Sequence, residues 1–193
     1  MLQPKFVTPP AALPVSLEDM KAWVVIDYDE DDAQITALIE AATQHFDGYS
    51  GILGRAIMPQ TWRVQLPCFQ SFMRLPLSPF QSVTSIKYYD EDNAEQTVSG
   101  DVYAAYEDSI GAFISLLPGQ SWPSSYNRAD AVSIDYMVGY KNVAKVPGPI
   151  KTAIMMLVAE MYDNPEGLSS AASNFDQNAV VARMIAPFRR VGI

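Results

Sequence analysis

The chain has 193 residues, 49% of them hydrophobic, with 22 acidic against 13 basic side chains and a net charge of −9. That length suits one domain, or one domain with an insertion, and the apolar share is enough to build a core rather than a disordered chain. The negative charge argues against general binding to nucleic acid or to anionic membrane surfaces, because both need basic patches that displace counterions.

Residues 1–15, MLQPKFVTPPAALPV, hold scattered prolines and no continuous apolar run. They read as an extended arm rather than a signal peptide, since a residue before proline is pushed toward β or polyproline geometry. Ser16-Leu17-Glu18-Asp19 is an N-cap with an acid three positions on, and it predicts a short helix over 17–24. The acids Asp29, Glu30, Asp31 and Asp32 then open a second helix, about 30–49. Its apolar positions Ile35, Leu38, Ile39, Ala42, Phe46 and Tyr49 recur at helical spacing. Acids belong at that end, where unpaired N–H groups and the helix dipole favour negative charge.

The composition changes between about 57 and 140. Short β-like runs appear at Thr61–Leu66, Met73–Leu75, Val83–Tyr89, Gln96–Val98, Val102–Tyr106, Ala112–Leu117 and Val132–Val138. Trp62, Val64 and Leu66 alternate with polar neighbours, as in a strand with one buried face. The DEDNAE stretch between Tyr89 and Gln96 reads as a hairpin loop. Pro67, Pro76, Pro79, Pro118 and Pro123 punctuate these runs and are expected to confine several of them to sheet edges.

Val146–Gly167, VPGPIKTAIMMLVAEMYDNPEG, predicts a helix over 149–163. Prolines stand at its start, and Asn164, Pro165 and Gly167 at its end. Its surface is apolar nearly all round, so it needs cover on several sides. It is too short and interrupted for a membrane span, which takes about 20 apolar residues. One face meets the chain's own core; the other, with Met155, Met156 and Met161, meets either another copy of the chain or a second layer of the same domain. After Gly167, SSAASNFDQNA has the composition of a linker. The closing VVARMIAPFRRVGI is apolar and basic with no acid, which marks it either as a docking segment or as a last helix packed on its own domain. The fold class is therefore α+β: a small helical bundle (17–24, 30–49, 149–163) with an antiparallel β insertion at about 57–140 and a C-terminal tail. The expected divisions are 1–15, 16–167 and 168–193.

Motifs for chemistry are missing. Counting a calcium loop from Asp27 puts Asp32 where glycine is needed and Leu38 where glutamate is needed. Cys68 is the only cysteine, so there is no internal disulfide and no thiolate metal cluster, and His45 is the only histidine. There is no HExxH, no GxSxG, no GxGxxG and no Walker A loop. No catalytic residue, metal ligand or cofactor is expected. Trp62 and Trp122 suit either a sugar platform or the core and rim of a β layer.

An ordered series of segments resembles the head–tail connector, or adaptor, proteins of long-tailed bacteriophages and gene transfer agents. The series is the helix from Leu17, the acidic start at Asp29, LIEAATQHFDGYSG into RAIMPQTWRV, and RLPLSPFQSVTSIKYYDED with its LPxxPxxSVTSI core from Leu75 to Ile86. It continues with GQSWP at Gly119–Pro123, YMVGY at Tyr136–Tyr140, and VPGPIKTAIMMLVAEMYDNPEG. It runs from about Ser16 to Gly167; the longer proline-containing arm before it departs from the pattern. The resemblance implies a structural virion protein and no enzyme. Its implied partners are the portal protein, a stopper or tail-completion protein, and other copies of itself in a typically dodecameric ring. DNA passes through that ring without sequence-specific binding, and no membrane is involved. The implied location is the virion neck, reached from the host cytoplasm during assembly. The portal-docking role falls on Arg183, Met184, Ile185, Pro187, Phe188, Arg189 and Arg190. Two other classes compete: a hydrolase using paired carboxylates, and a β-rich carbohydrate- or surface-binding module of a virion.

Overall fold

The computed structural model describes residues 2–164 and 179–190. In chain order they form β1 (Lys5–Thr8), α1 (Leu17–Val24), α2 (Asp32–Phe46), β2 (Gln60–Leu66), β3 (Met73–Arg74), β4 (Phe80–Tyr89) and β5 (Glu95–Thr97). Then follow β6 (Tyr103–Glu107), β7 (Ala112–Leu116), β8 (Val132–Val138), a 3-10 turn (Val143–Lys145), α3 (Gly148–Asp163), α4 (Ala179–Ile185) and a second 3-10 turn (Ala186–Phe188). The class is α+β. The chain divides into two units: Ala11–Met58 with the described residues from Tyr140 onward, and Pro59–Gly139 with the N-terminal residues up to Pro10. The expected linker at 168–178 lies outside the described residues.

In the helical unit, α1 starts where Ser16 Oγ accepts the Asp19 N–H at 3.0 Å. It ends at Val25, which takes a left-handed φ of 60°. α2 is shorter than the expected 30–49. It begins after the acidic run, and it ends at Phe46 because Gly48, at a φ of 81°, turns the chain and donates its N–H to the Arg55 carbonyl at 2.7 Å. Gly51 is required there, since a Cβ would collide with the backbone of Phe46 and Asp47. Of the apolar positions read from the spacing, Ile35, Ile39, Ala42 and Phe46 of α2 and Ile150, Ile154 and Leu157 of α3 are buried in the core, joined by Ala153 and Val158; Leu38 and Met161 pack at its margin, and Tyr49 lies beyond the end of α2 and is 47% exposed. Burying each large aliphatic side chain contributes about 1.5–3 kcal/mol.

Part of the cover that α3 needs comes from within the chain. α1, α2 and α4 all pack against it. Val181 and Ile185 of α4 are buried in the same core, and Met184 and Phe188 pack at its margin. Thus the C-terminal segment forms a last helix on its own unit.

The β unit contains a five-stranded antiparallel sheet in the order β1-β2-β8-β4-β5 and a three-stranded one in the order β3-β7-β6. β2 and β8 alternate buried and half-buried residues along their whole length, in register from Gln60 opposite Val138 to Leu66 opposite Val132. Ile134 of β8 is flanked by Val64 and Ile86, and Tyr136 by Trp62 and Val83. Tyr136 is fully buried, and its hydroxyl donates to the Pro76 carbonyl at 2.8 Å. β4 keeps only Ile86 buried, because two irregularities in its pairing with β8 interrupt the alternation.

Two further features differ from the sequence expectation. The N-terminal arm is extended but not unpartnered: β1 adds to the edge of the sheet against β2, with Phe6 5.3 Å from the Trp62 ring. The prolines also do not confine their strands to edges, since β2, β4 and β7 are all interior. Pro67, Pro76, Pro79, Pro118 and Pro123 fall outside the strands, where a missing N–H removes no ladder bond.

Candidate interaction surfaces

The hydrolase alternative requires paired carboxylates, at least one of them held protonated near neutral pH. Asp29, Asp90, Asp108 and Asp130 all sit below the ordinary carboxylate range. Lys21 donates to Asp29, Arg74 to Asp108 and Arg128 to Asp130, while Asp90 accepts the Ala94 N–H of its own hairpin turn. Arg74 and two backbone N–H groups bring Asp108 down to about 2. A general acid at neutral pH needs the opposite shift. Among the described residues, no group of His, Cys, Asp or Glu is arranged to hold a metal ion, and no helix is long and apolar enough to cross a membrane.

The aromatic residues are mostly engaged with one another. Trp62 is buried, and its Nε1–H donates to Gln60 Oε1 at 3.0 Å. Trp122 is half-buried and stacks on Phe69 at 4.7 Å and 7°, and its Nε1–H donates to the Gln70 carbonyl. Burial of Trp62 takes one of the two tryptophans from the sugar reading, while Trp122 keeps a half-buried stack with Phe69. His45 is half-buried in the last turn of α2 with its ring edge-on to Phe46.

The residues singled out in the tail fall into two groups. Ile185 is buried, and Met184, Phe188 and Arg190 are half-buried, the last donating its backbone N–H to the Leu53 carbonyl at 2.8 Å. Arg183, Pro187 and Arg189 are exposed. The segment therefore offers a discontinuous outer face, with Ile185 turned inward. Met155, Met156 and Met161 lie half-buried on α3, against the margin of the core.

Sequence reading missed how charge is distributed over the helical unit. α2 and α3 run antiparallel. At one end the Tyr162 hydroxyl donates to Asp31 at 2.6 Å and lies 3.1 Å from the Tyr28 hydroxyl, and these contacts push the Tyr162 pKa upward. Asp27, Asp29, Glu30, Asp31, Asp32 and Asp163 gather there, with Lys21 clamped between Asp29 at 2.7 Å and Asp32 at 2.8 Å. At the other end the Tyr140 N–H donates to the Ile57 carbonyl at 3.0 Å, and Arg190 lies beside Gly54. Arg55 is near enough to Tyr140 to act on its hydroxyl, and Asp47 stands beside Arg55 in a backbone bridge; Lys141, Lys145 and Lys151 follow Tyr140 into the first turn of α3, and Arg189 precedes Arg190, so this end draws six cations and one acid from several stretches of chain. Only a folded chain shows that clustering, because the six residues are scattered over more than half of the sequence.

Residues 15–174 match the family model described as head completion protein. The fold is similar to a chain in the neck of an empty gene transfer agent (GTA) particle computed with C6 symmetry: 18% identity, TM-score 0.77, covering 100% of this chain and 97% of that one. It is also similar to a chain in the virion of a native GTA particle, at 18% identity and TM-score 0.76, with the same coverage of 100% and 97%. A third similar chain, from the neck of the native GTA particle computed with C12 symmetry, gives 21% identity, TM-score 0.71 and again 100% and 97% coverage. No curated protein matches the sequence.

Proposed function

Since the head completion protein family model spans residues 15–174, the chain belongs to that family, and we propose that it is a structural connector in the neck of a tailed particle. In this reading copies of the chain form a ring on the portal protein, dodecameric in the virion. The ring extends the DNA channel and gives the stopper or tail-completion protein its seat. The observation that carries the reading is the family match together with a fold shared over the whole chain with proteins of GTA necks.

Physical features support it. A net charge of −9 lets a polyanion pass with little counterion release and so little sticking. Arg183, Pro187 and Arg189 lie exposed beside half-buried Met184, Phe188 and Arg190, so a partner has both cations and apolar edges to meet without unfolding the helix. Ile185 anchors the segment from beneath. Assembly takes place in the host cytoplasm, where a chain with one cysteine and no disulfide is at home.

The test is co-expression with the portal protein of the same particle, followed by affinity capture. Removal of residues 179–193 is expected to abolish capture. That deletion also strips Val181 and Ile185 from the core, so the decisive variant is Arg183→Glu with Arg189→Glu, both exposed. It is expected to weaken capture about tenfold or more with an unchanged melting temperature. Capture at full strength by this variant overturns the assignment of the tail.

A further inference from the structure

Among the described residues, the helical unit carries an exposed apolar patch. Trp23 is 46% exposed, Tyr28 44% and Val25 89%. Val25 also holds a left-handed backbone conformation that a β-branched residue rarely adopts. All three sit among Asp27, Asp29 and Glu30, so the patch has an aromatic centre and an acidic rim, the composition of an interface. The opposite end of the same unit carries the basic group of Arg55, Lys141, Lys145 and Lys151, with Tyr49 47% exposed nearby.

Helix capping explains only half of this segregation. The acids suit the N-terminus of α2. For the antiparallel α3 the charges are reversed: Lys151 lies in its first turn and Asp163 in its last, each opposing the helix dipole. The two ends also do not neutralise one another within a chain. A helix of 15 residues, the length of α2, separates them by about 22 Å, well beyond a screening length of about 8 Å at physiological salt.

We infer that the acidic, apolar end of one helical unit docks against the basic end of the next copy. Such a contact joins two different surfaces, so it is heterologous and closes into a ring when its rotation permits. The inference rests on the ring reading above and names the surfaces that make the ring. The occupant is a second copy because the complementary charge is carried by the chain itself.

Charge reversal tests it. One variant carries Asp27→Lys, Glu30→Lys and Asp163→Lys; the other carries Lys141→Glu, Lys145→Glu and Lys151→Glu. None of these side chains belongs to the core, and the changes in α3 now favour its dipole, so both variants are expected to fold. Mass in solution is measured at low and at molar salt, and particles are imaged by negative stain. Wild type is expected to associate at low salt and dissociate at high salt. Each variant alone is expected to associate about a hundredfold more weakly. Association is expected to return in an equimolar mixture of the two, and in a chain carrying all six changes. Rings that persist in both single variants overturn the docking surfaces and leave the ring reading intact. Charge-dependent dimers or filaments without rings uphold the contact and overturn ring closure. Wild type that stays monomeric at low salt overturns the docking surfaces, wild type that also forms no ring when mixed with the portal protein overturns the ring reading as well, and binding of short duplex DNA by the basic end in place of a second copy overturns the choice of occupant.

Discussion

The two units meet the same requirement, burial of an apolar interior, by different means. In the β unit the buried residues of β2 and β8 stand in register along an unbroken ladder, and β4 adds Ile86 across a ladder with two irregularities, so each strand is held by backbone as well as by side chains. In the helical unit α3 is apolar nearly all round, and α1, α2 and α4 close over it by side-chain packing. A ladder specifies its neighbour strand by strand. A helix face accepts any apolar surface of suitable shape, so the helical unit is specified less strictly by its neighbours than the sheet is.

One cavity opened in each unit separates the two modes of burial most strongly. Ile154→Ala and Ile134→Ala both truncate a fully buried side chain, and each is expected to destabilise by about 2–5 kcal/mol. Hydrogen exchange is expected to show protection lost chiefly in the unit that carries the change. Equal loss in both units would mean that they unfold as one, and the contrast would fall.

Ile185→Ala asks a smaller question. It thins the contact of α4 alone, with an expected cost of about 2 kcal/mol, and raises exchange in α4 and along α3 while β2 and β8 stay protected. If the α4 amides already exchange freely in wild type, the closure of the helical unit does not include that helix. Val25→Gly sharpens the comparison from the other direction. Relief of a left-handed conformation gains about 1–2 kcal/mol, and the extra freedom of glycine in the unfolded chain offsets about 0.4–1. A net rise of about 0.5 kcal/mol in the helical unit is expected by thermal melting, and a fall would show that the valine side chain holds α1 in place.

The smallest effect belongs to the β unit. Asp108 is held at about 2 against an ordinary 3.8, chiefly by the Arg74 guanidinium. A depressed carboxylate stabilises the fold above its ordinary value, and that contribution is lost as the pH falls from 3.8 toward 2. The side-chain carboxyl resonance of Asp108 is expected to titrate in that window, and Arg74→Met is expected to move it upward. The exposed pair is screened by solvent, so the stability change is expected to be slight.

Much of this was legible because it is periodic. Ile35, Ile39 and Phe46 announce α2 by their spacing, Ser16 and Asp19 mark the start of α1, and Trp62, Val64 and Leu66 mark β2. The Asp90 turn is equally local: Asp90 accepts from Asp92, Ala94 and Gln96 within one hairpin. Less was legible where the deciding partner is distant. Nothing in the arm names β2 as the partner of β1. Nothing near Pro79 says that β4 lies inside the sheet. The tail's composition suited a docking segment and a last helix alike, and burial of Val181 and Ile185 places it on its own helical unit.

By itself, the order of residues determined most of the helices and strands and the inward faces of α2 and β2, because spacing and capping act over a few residues. It also determined the acidic charge and the lack of any motif for chemistry. Tertiary structure alone decided that β8 lies between β2 and β4, that α4 closes the helical core, and that cations from three stretches gather opposite the acids of the α1–α2 connection. Those outcomes depend on which distant surfaces bury one another, and that selection is made only when the whole chain packs.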